Sequence, residues 1–175
     1  MRNSRLGLVL AVAFLCPGSR ADLPVERWWA VRPFLNVTET RVNPAGTYAV
    51  TFDPYWVTLF RCSDSLPIKT YRDAASSADI FDIQFSGDGK TLWHLRVDVE
   101  NRLENRTLTG ALLRTIPLVF KARKLAVSPN GQLALLYGEP GHPNRLISLA
   151  TGAVQSTFDG FWGFAEFSRD SKRFL

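Results

Sequence analysis

Val127-Ser128-Pro129-Asn130-Gly131 decides how this chain is read, because it recurs. Related stretches are Val42-Asn43-Pro44-Ala45-Gly46, Phe85-Ser86-Gly87-Asp88-Gly89 and Phe167-Ser168-Arg169-Asp170-Ser171, with first positions separated by 43, 42 and 40 residues. An apolar residue ends one strand, and Ser, Pro, Asn, Asp or Gly then reverses the chain. Pro presets φ, Asn and Asp bond nearby backbone, and Gly accepts a positive φ. Tyr48-Ala49-Val50, Leu92-Trp93, Leu133-Ala134-Leu135 and Phe174-Leu175 follow, so each copy reads strand, turn, strand.

A period of roughly 40–45 residues with short strands is the signature of propeller blades, each a four-stranded sheet. Blades are expected over about 36–73, 79–118 and 123–159, with a partial blade over 161–175 that opens on a strand at Phe161–Phe167. Thr109-Gly110 and Thr151-Gly152 read as hairpin turns joining third and fourth strands. Apolar periodicity of helical length is missing, so the expected class is all-β: β-propeller blades of four antiparallel strands, an incomplete ring in this chain. The end at Arg173-Phe174-Leu175 falls within an expected strand, which reads as the front of a longer propeller or a truncated product. Association of chains through their open edges is the other way to cover such a blade.

Residues 1–21 read as a secretory signal peptide. Arg2 and Arg5 precede the apolar run Leu6–Cys16, and Ser19-Arg20-Ala21 is a small-x-small cleavage site. The run of 11 residues falls short of the ~20 that span a bilayer. The expected product is residues 22–175, periplasmic or extracellular, without stable membrane insertion. The leader holds three Arg and no acid, so the net charge falls from +5 to 18 − 16 = +2. The basic residues Lys121, Arg123 and Lys124 are the one tight group, read as a solvated blade edge, and no nucleic-acid partner is expected. Cys16 leaves with the leader, and Cys62 is read as a small buried side chain.

The Ser-(Pro)-(Asp/Asn)-Gly turns and the corner Leu149-Ala150-Thr151-Gly152 resemble WD-repeat and WD-like bacterial β-propellers over roughly Asn36–Leu175. Gly-His before the repeats and Trp-Asp after a third strand are missing: the matching stretches are Leu59-Phe60-Arg61-Cys62 and Leu146-Ile147-Ser148-Leu149. Asp53 and Asp98 fall near the turn Asp of such repeats and are also explained as ordinary turn residues. The resemblance implies a rigid platform for protein–protein contacts.

Chemistry-bearing motifs are sparse. The chain has two histidines, His94 in a strand-like run and His142 in the loop Gly138–Asn144, and neither sits in a zinc pattern. It has no Gly-x-Ser-x-Gly elbow, phosphate loop or dinucleotide fingerprint. Asp79 and Asp82 flank Ile80-Phe81, and Asp98 and Glu100 alternate about Val99 as on a solvent face. Catalytic, cofactor-binding and metal residues are therefore all assigned as none. Phe158, Phe161, Trp162, Phe164 and Phe167, with Trp28-Trp29, read as blade core. Asn36-Val37-Thr38 and Asn105-Arg106-Thr107 match glycosylation acceptors. The expected function is an exported scaffold whose partner is a protein or a second copy met at open blade edges. The alternatives are the N-terminal part of a propeller hydrolase or oxidoreductase with its active residues outside this chain, and a truncated non-functional product.

Overall fold

The computed structural model describes residues 39–72, 79–97, 101–160 and 163–174. Three four-stranded antiparallel meanders follow one another. Blade 1 holds β1 (Glu39–Val42), β2 (Tyr48–Phe52), β3 (Trp56–Arg61) and β4 (Pro67–Arg72). Blade 2 holds β5 (Asp79–Phe85), β6 (Thr91–Val97), β7 (Arg102–Thr107) and β8 (Leu112–Pro117). Blade 3 holds β9 (Lys124–Val127), β10 (Leu133–Tyr137), β11 (Asn144–Ser148) and β12 (Val154–Phe158). The four antiparallel strands expected of each blade are present. Of the expected strand Phe161–Phe167, the described part shows one bridge, Phe167 to Phe174.

The sheets pack face to face. Val50, Phe52, Val57 and Leu59 meet Ile80, Ile83, Phe85 and Leu92 between blades 1 and 2. Trp93, Leu95, Leu103 and Ile116 meet Leu125, Ala134, Leu136 and Ile147 between blades 2 and 3. Strand β10 reads as an unbroken apolar run because both of its faces are covered: Leu135 and Tyr137 pack instead on Ala165 and Phe167. Each pair of successive blades thus buries its own apolar layer, and β5 lies against β1 and β9 at the inner edge.

The recurring turn has one hydrogen-bond pattern. Ser86 donates to Asp88 Oδ1, which also accepts from the Lys90 amide, while the Thr91 amide donates to Ser86 Oγ. Ser128 with Asn130, and Ser168 with Asp170, repeat it. In the first copy Asn43 Oδ1 does both jobs, accepting from the amides of Thr47 and Tyr48. Gly46, Gly89 and Gly131 take φ of 68°, 68° and 70°, and Ser171 in the fourth copy takes 61°. Asx and Ser side chains therefore fix the turn, and Gly removes the strain of its left-handed residue.

A second repeat was not visible in the sequence. The register between third and fourth strands shifts by one residue in every blade, at Leu59/Phe60, Asn105/Arg106 and Leu146/Ile147. A bulge at each outer edge twists the exposed strand away from pairing with another chain.

Candidate functional site

Antiparallel meanders put the first and third turns of each blade at one end. The second turns and the connections between blades lie at the other, which we call the loop end. Three residues before the first three of the repeated turns stand Glu39, Asp82 and Lys124, one on each inner strand and all near the loop end. They are brought together with Arg41. Lys124 pairs with Glu39, Glu39 with Arg41, and Arg41 Nη2 lies 3.1 Å from Asp82 Oδ1. Asp82 is fully buried and also accepts from the Ile83 amide at 2.8 Å and the Leu125 amide at 2.9 Å. Its carboxylate thus takes donors from three blades. Burial pushes its pKa up to about 6, against the opposing pull of Arg41 and the two amides.

Asp82 was legible only as one acid of a pair flanking Ile80-Phe81. What selects it is the bulge at Ile80/Asp82, which re-aims the strand. Lys124 is a correction to the solvated-edge reading: it lies on the inner strand and is partly buried against Glu39, whereas Lys121 is exposed and Arg123 pairs with Glu139 at 2.6 Å.

A second polar group lies between blades 1 and 2. His94 on β6 is fully buried, with Nε2 3.2 Å from the Tyr71 hydroxyl of β4. Opposite it on β7, Glu104 accepts from Arg102 Nε at 2.8 Å and from Arg106 Nε and Nη2, with Arg96 Nη1 at 3.8 Å. Burial raises the Glu104 pKa, but the bonds from Arg102 and Arg106 outweigh it and hold the carboxyl below its ordinary value. Burial, then Arg106 and Arg96, push His94 down to about 3.

These shifts have opposite signs in the stability. The unfolded His protonates near 6.5 and the native one near 3, so stability is lost as pH falls between those values. Native Asp82 protonates near 6 and the unfolded one near 3.8, so stability is gained as pH falls through that interval. Each slope is about 1.4 kcal/mol per pH unit. The two offset each other between about pH 6 and 4. Urea melts across that interval are expected to be nearly flat for the native chain and to rise on acidification for His94→Gln. Parallel profiles for the two proteins would overturn this account.

The remaining candidates are structural or lie apart. His142 lines a cleft of about 330 Å³ with Glu139, Pro143 and Asp159, at the small end of ligand pockets. Among the described residues no group of three or more His, Cys, Asp or Glu could hold a metal. Cys62 is buried one residue past β3, as expected of a small core side chain. Asp53 caps its turn, accepting from the amides of Tyr55 and Trp56. Phe158 and Phe167 pack edge-on against Phe174, as expected of core, but Phe164 is 73% exposed. Asn105 Nδ2, the atom a glycan would occupy, donates to Thr91 Oγ1 from a central strand. Trp28, Trp29, Asn36, Asp98, Glu100, Phe161 and Trp162 lie outside the described residues, as does the Asp79 side chain.

No protein-family model and no curated protein matches the chain. It is similar to the crystal structure of a Bacteroides fragilis protein that carries the name 6-phosphogluconolactonase, with a TM-score of 0.53 and 21% identity. The match covers 68% of this chain and 36% of the other, so the chain spans about a third of that neighbour's length. It is one of 608 solved chains that match, and so common an architecture does not assign an activity. The neighbour's fold is propeller-like, and with three consecutive four-stranded meanders on the page the chain is an all-β protein of propeller blades.

Proposed function

We propose that this chain forms blades of an exported, WD-like propeller that binds a protein partner at its loop end. One observation carries the reading. Among the described residues, the three most exposed large apolar side chains are Val119 (99%), Phe164 (73%) and Tyr55 (57%), and all three stand at the loop end. They belong to the connection after β8, the start of the partial blade, and the turn after β2. Exposed aromatic and aliphatic groups around paired charges match the composition of protein interfaces, and loops on a rigid scaffold are where such contacts are made. The opposite end carries the repeated turns packed on one another, with Leu112 and Leu113 exposed at the start of β8.

A photoreactive amino acid at Tyr55, Val119 or Phe164, in cells of the native host, is expected to cross-link one protein at all three positions and not at Ala45 in the first turn. Equal labelling from Ala45 would remove the loop end from the proposal. Export belongs to the same reading and rests on residues 1–21; N-terminal sequencing of the native protein is expected to begin at Asp22.

A second reading is an enzyme acting on a sugar lactone. Its support is the name of the structural neighbour together with Glu39 and Arg41, partly exposed at this end. Turnover of 6-phosphogluconolactone by the purified chain, lost in Arg41→Ala, would replace the binding reading.

A further inference from the structure

We propose that Asp82 is a proton-operated latch between blades, holding the inner strand of blade 3 only while its carboxylate is charged. Strand β9 is the inner edge of its sheet and pairs with β10 alone. The Leu125 amide points away from β10, and its acceptor is Asp82 Oδ2 on the neighbouring blade. The other carboxylate oxygen accepts from Ile83 and Arg41, so donors occupy both oxygens. Oδ2 holds the Leu125 amide as its one donor and so keeps a lone pair for a proton. Once protonated it is a hydroxyl oxygen, a much weaker acceptor for that amide, and the neutral acid also gives up its charge-assisted bond to Arg41.

The surroundings favour this site for the change. On β1, Arg41 faces the carboxylate, and Glu39 holds Arg41 from its far side. On β9, Lys124 is directed to Glu39. On β10, the Tyr137 hydroxyl is bonded to the main chain of Ala165, and its own pKa is raised by burial and by the nearby Asp82 charge. On β6, Leu95 stands opposite Asp82, and His94 and Arg96 alternate onto the other face. Among the described residues Arg41 is therefore the sole counter-charge in direct contact, and Asp82 itself has no exposure through which water could replace a lost bond.

Two consequences run in opposite directions. Protonation relieves the cost of burying a charge, so the fold as a whole gains stability. The same proton weakens the acceptor that holds the Leu125 amide, so the inner edge of blade 3 loosens locally. An ordinary buried acid moves the first quantity and leaves the second unchanged.

The experiment is an NMR titration of the full chain from pH 7.5 to 4.5, following the amide signals of Leu125 and Ile83. Both are expected to shift through one ionisation with a midpoint near 6, the value set by burial of Asp82. In Asp82→Asn, which copies the neutral acid, both shifts should be flat. Hydrogen exchange at Leu125, compared at pH 7.5, should then be at least about ten-fold faster than in the native chain. A Leu125 signal that does not titrate in the native chain overturns the proposal, whether or not the variant folds. So does a variant whose Leu125 amide exchanges as slowly as the native one.

Discussion

Replacing Glu104 by alanine is expected to lower stability by about 3–5 kcal/mol, the largest effect of any single side chain described above. Glu104 is 5% exposed, with Arg102 and Arg106 bonded to it and Arg96 at 3.8 Å. The loss does not measure the worth of the ion pairs, since a buried pair formed from water often gains little. It measures what remains: guanidinium groups between two blades, with the carboxylate that faced them gone. Arg96 cannot swing out to solvent, because it is fully buried although it stands near the end of β6. Urea unfolding at pH 7 provides the value, and Glu104→Gln separates charge from shape. The amide keeps the volume and one acceptor oxygen, so a charge-dominated site loses most of the stability in both variants. A change below about 1 kcal/mol in Glu104→Ala would show the network to be open to water.

Gly87→Ala is expected to cost about 3 kcal/mol, lowering Tm by roughly 6–12 °C. The reason is space and not backbone conformation. The φ of Gly87 lies outside the left-handed region, but a Cβ there would stand 2.5 Å from the carbonyl carbon of Pro129 and closer still to its oxygen. Pro129 belongs to the same turn one blade further on, and backbone cannot yield as a side-chain end can. Gly131 is the control: its φ is +70° and a Cβ there would meet nothing within 4 Å. Gly131→Val is therefore expected to cost about 1–2 kcal/mol, from strain alone. Thermal melts of the two variants decide the order. If Gly131→Val proves the more damaging, the turns of blades 2 and 3 do not touch as described.

The turns of successive blades in fact form a row. A Cβ on Gly89 would meet the Asn43 side chain, Gly87 abuts Pro129, and the Asn130 amide donates to Ser171 Oγ at 3.0 Å. Further out, Gly110 lies under the Tyr71 ring and Gly152 under Ile116 of the preceding blade. Arg114 of blade 2 donates to the carbonyls of Leu149 and Ala150 in blade 3. Glycine thus serves two purposes in one motif. At Gly46 and Gly131 it relieves a turn, and at Gly87 it admits the next blade.

Only the first of these purposes can be read from the sequence. Turn chemistry is local: a Ser or Asn, an Asp two residues on, and a Gly at the left-handed position satisfy one another within about five residues. The four-stranded antiparallel sheets of residues 39–158 followed from that spacing, because short apolar runs between such turns have few other ways to pair. Tertiary structure alone decided which charges meet. Asp82, Arg41, Glu39 and Lys124 are up to 85 residues apart and converge because their strands share one inner edge. Likewise, the face of β6 that carries His94 and Arg96 is sealed by Tyr71 of another blade. Side-chain chemistry is written one residue at a time, but burial, which moves Asp82 up and His94 down, belongs to the packed blades.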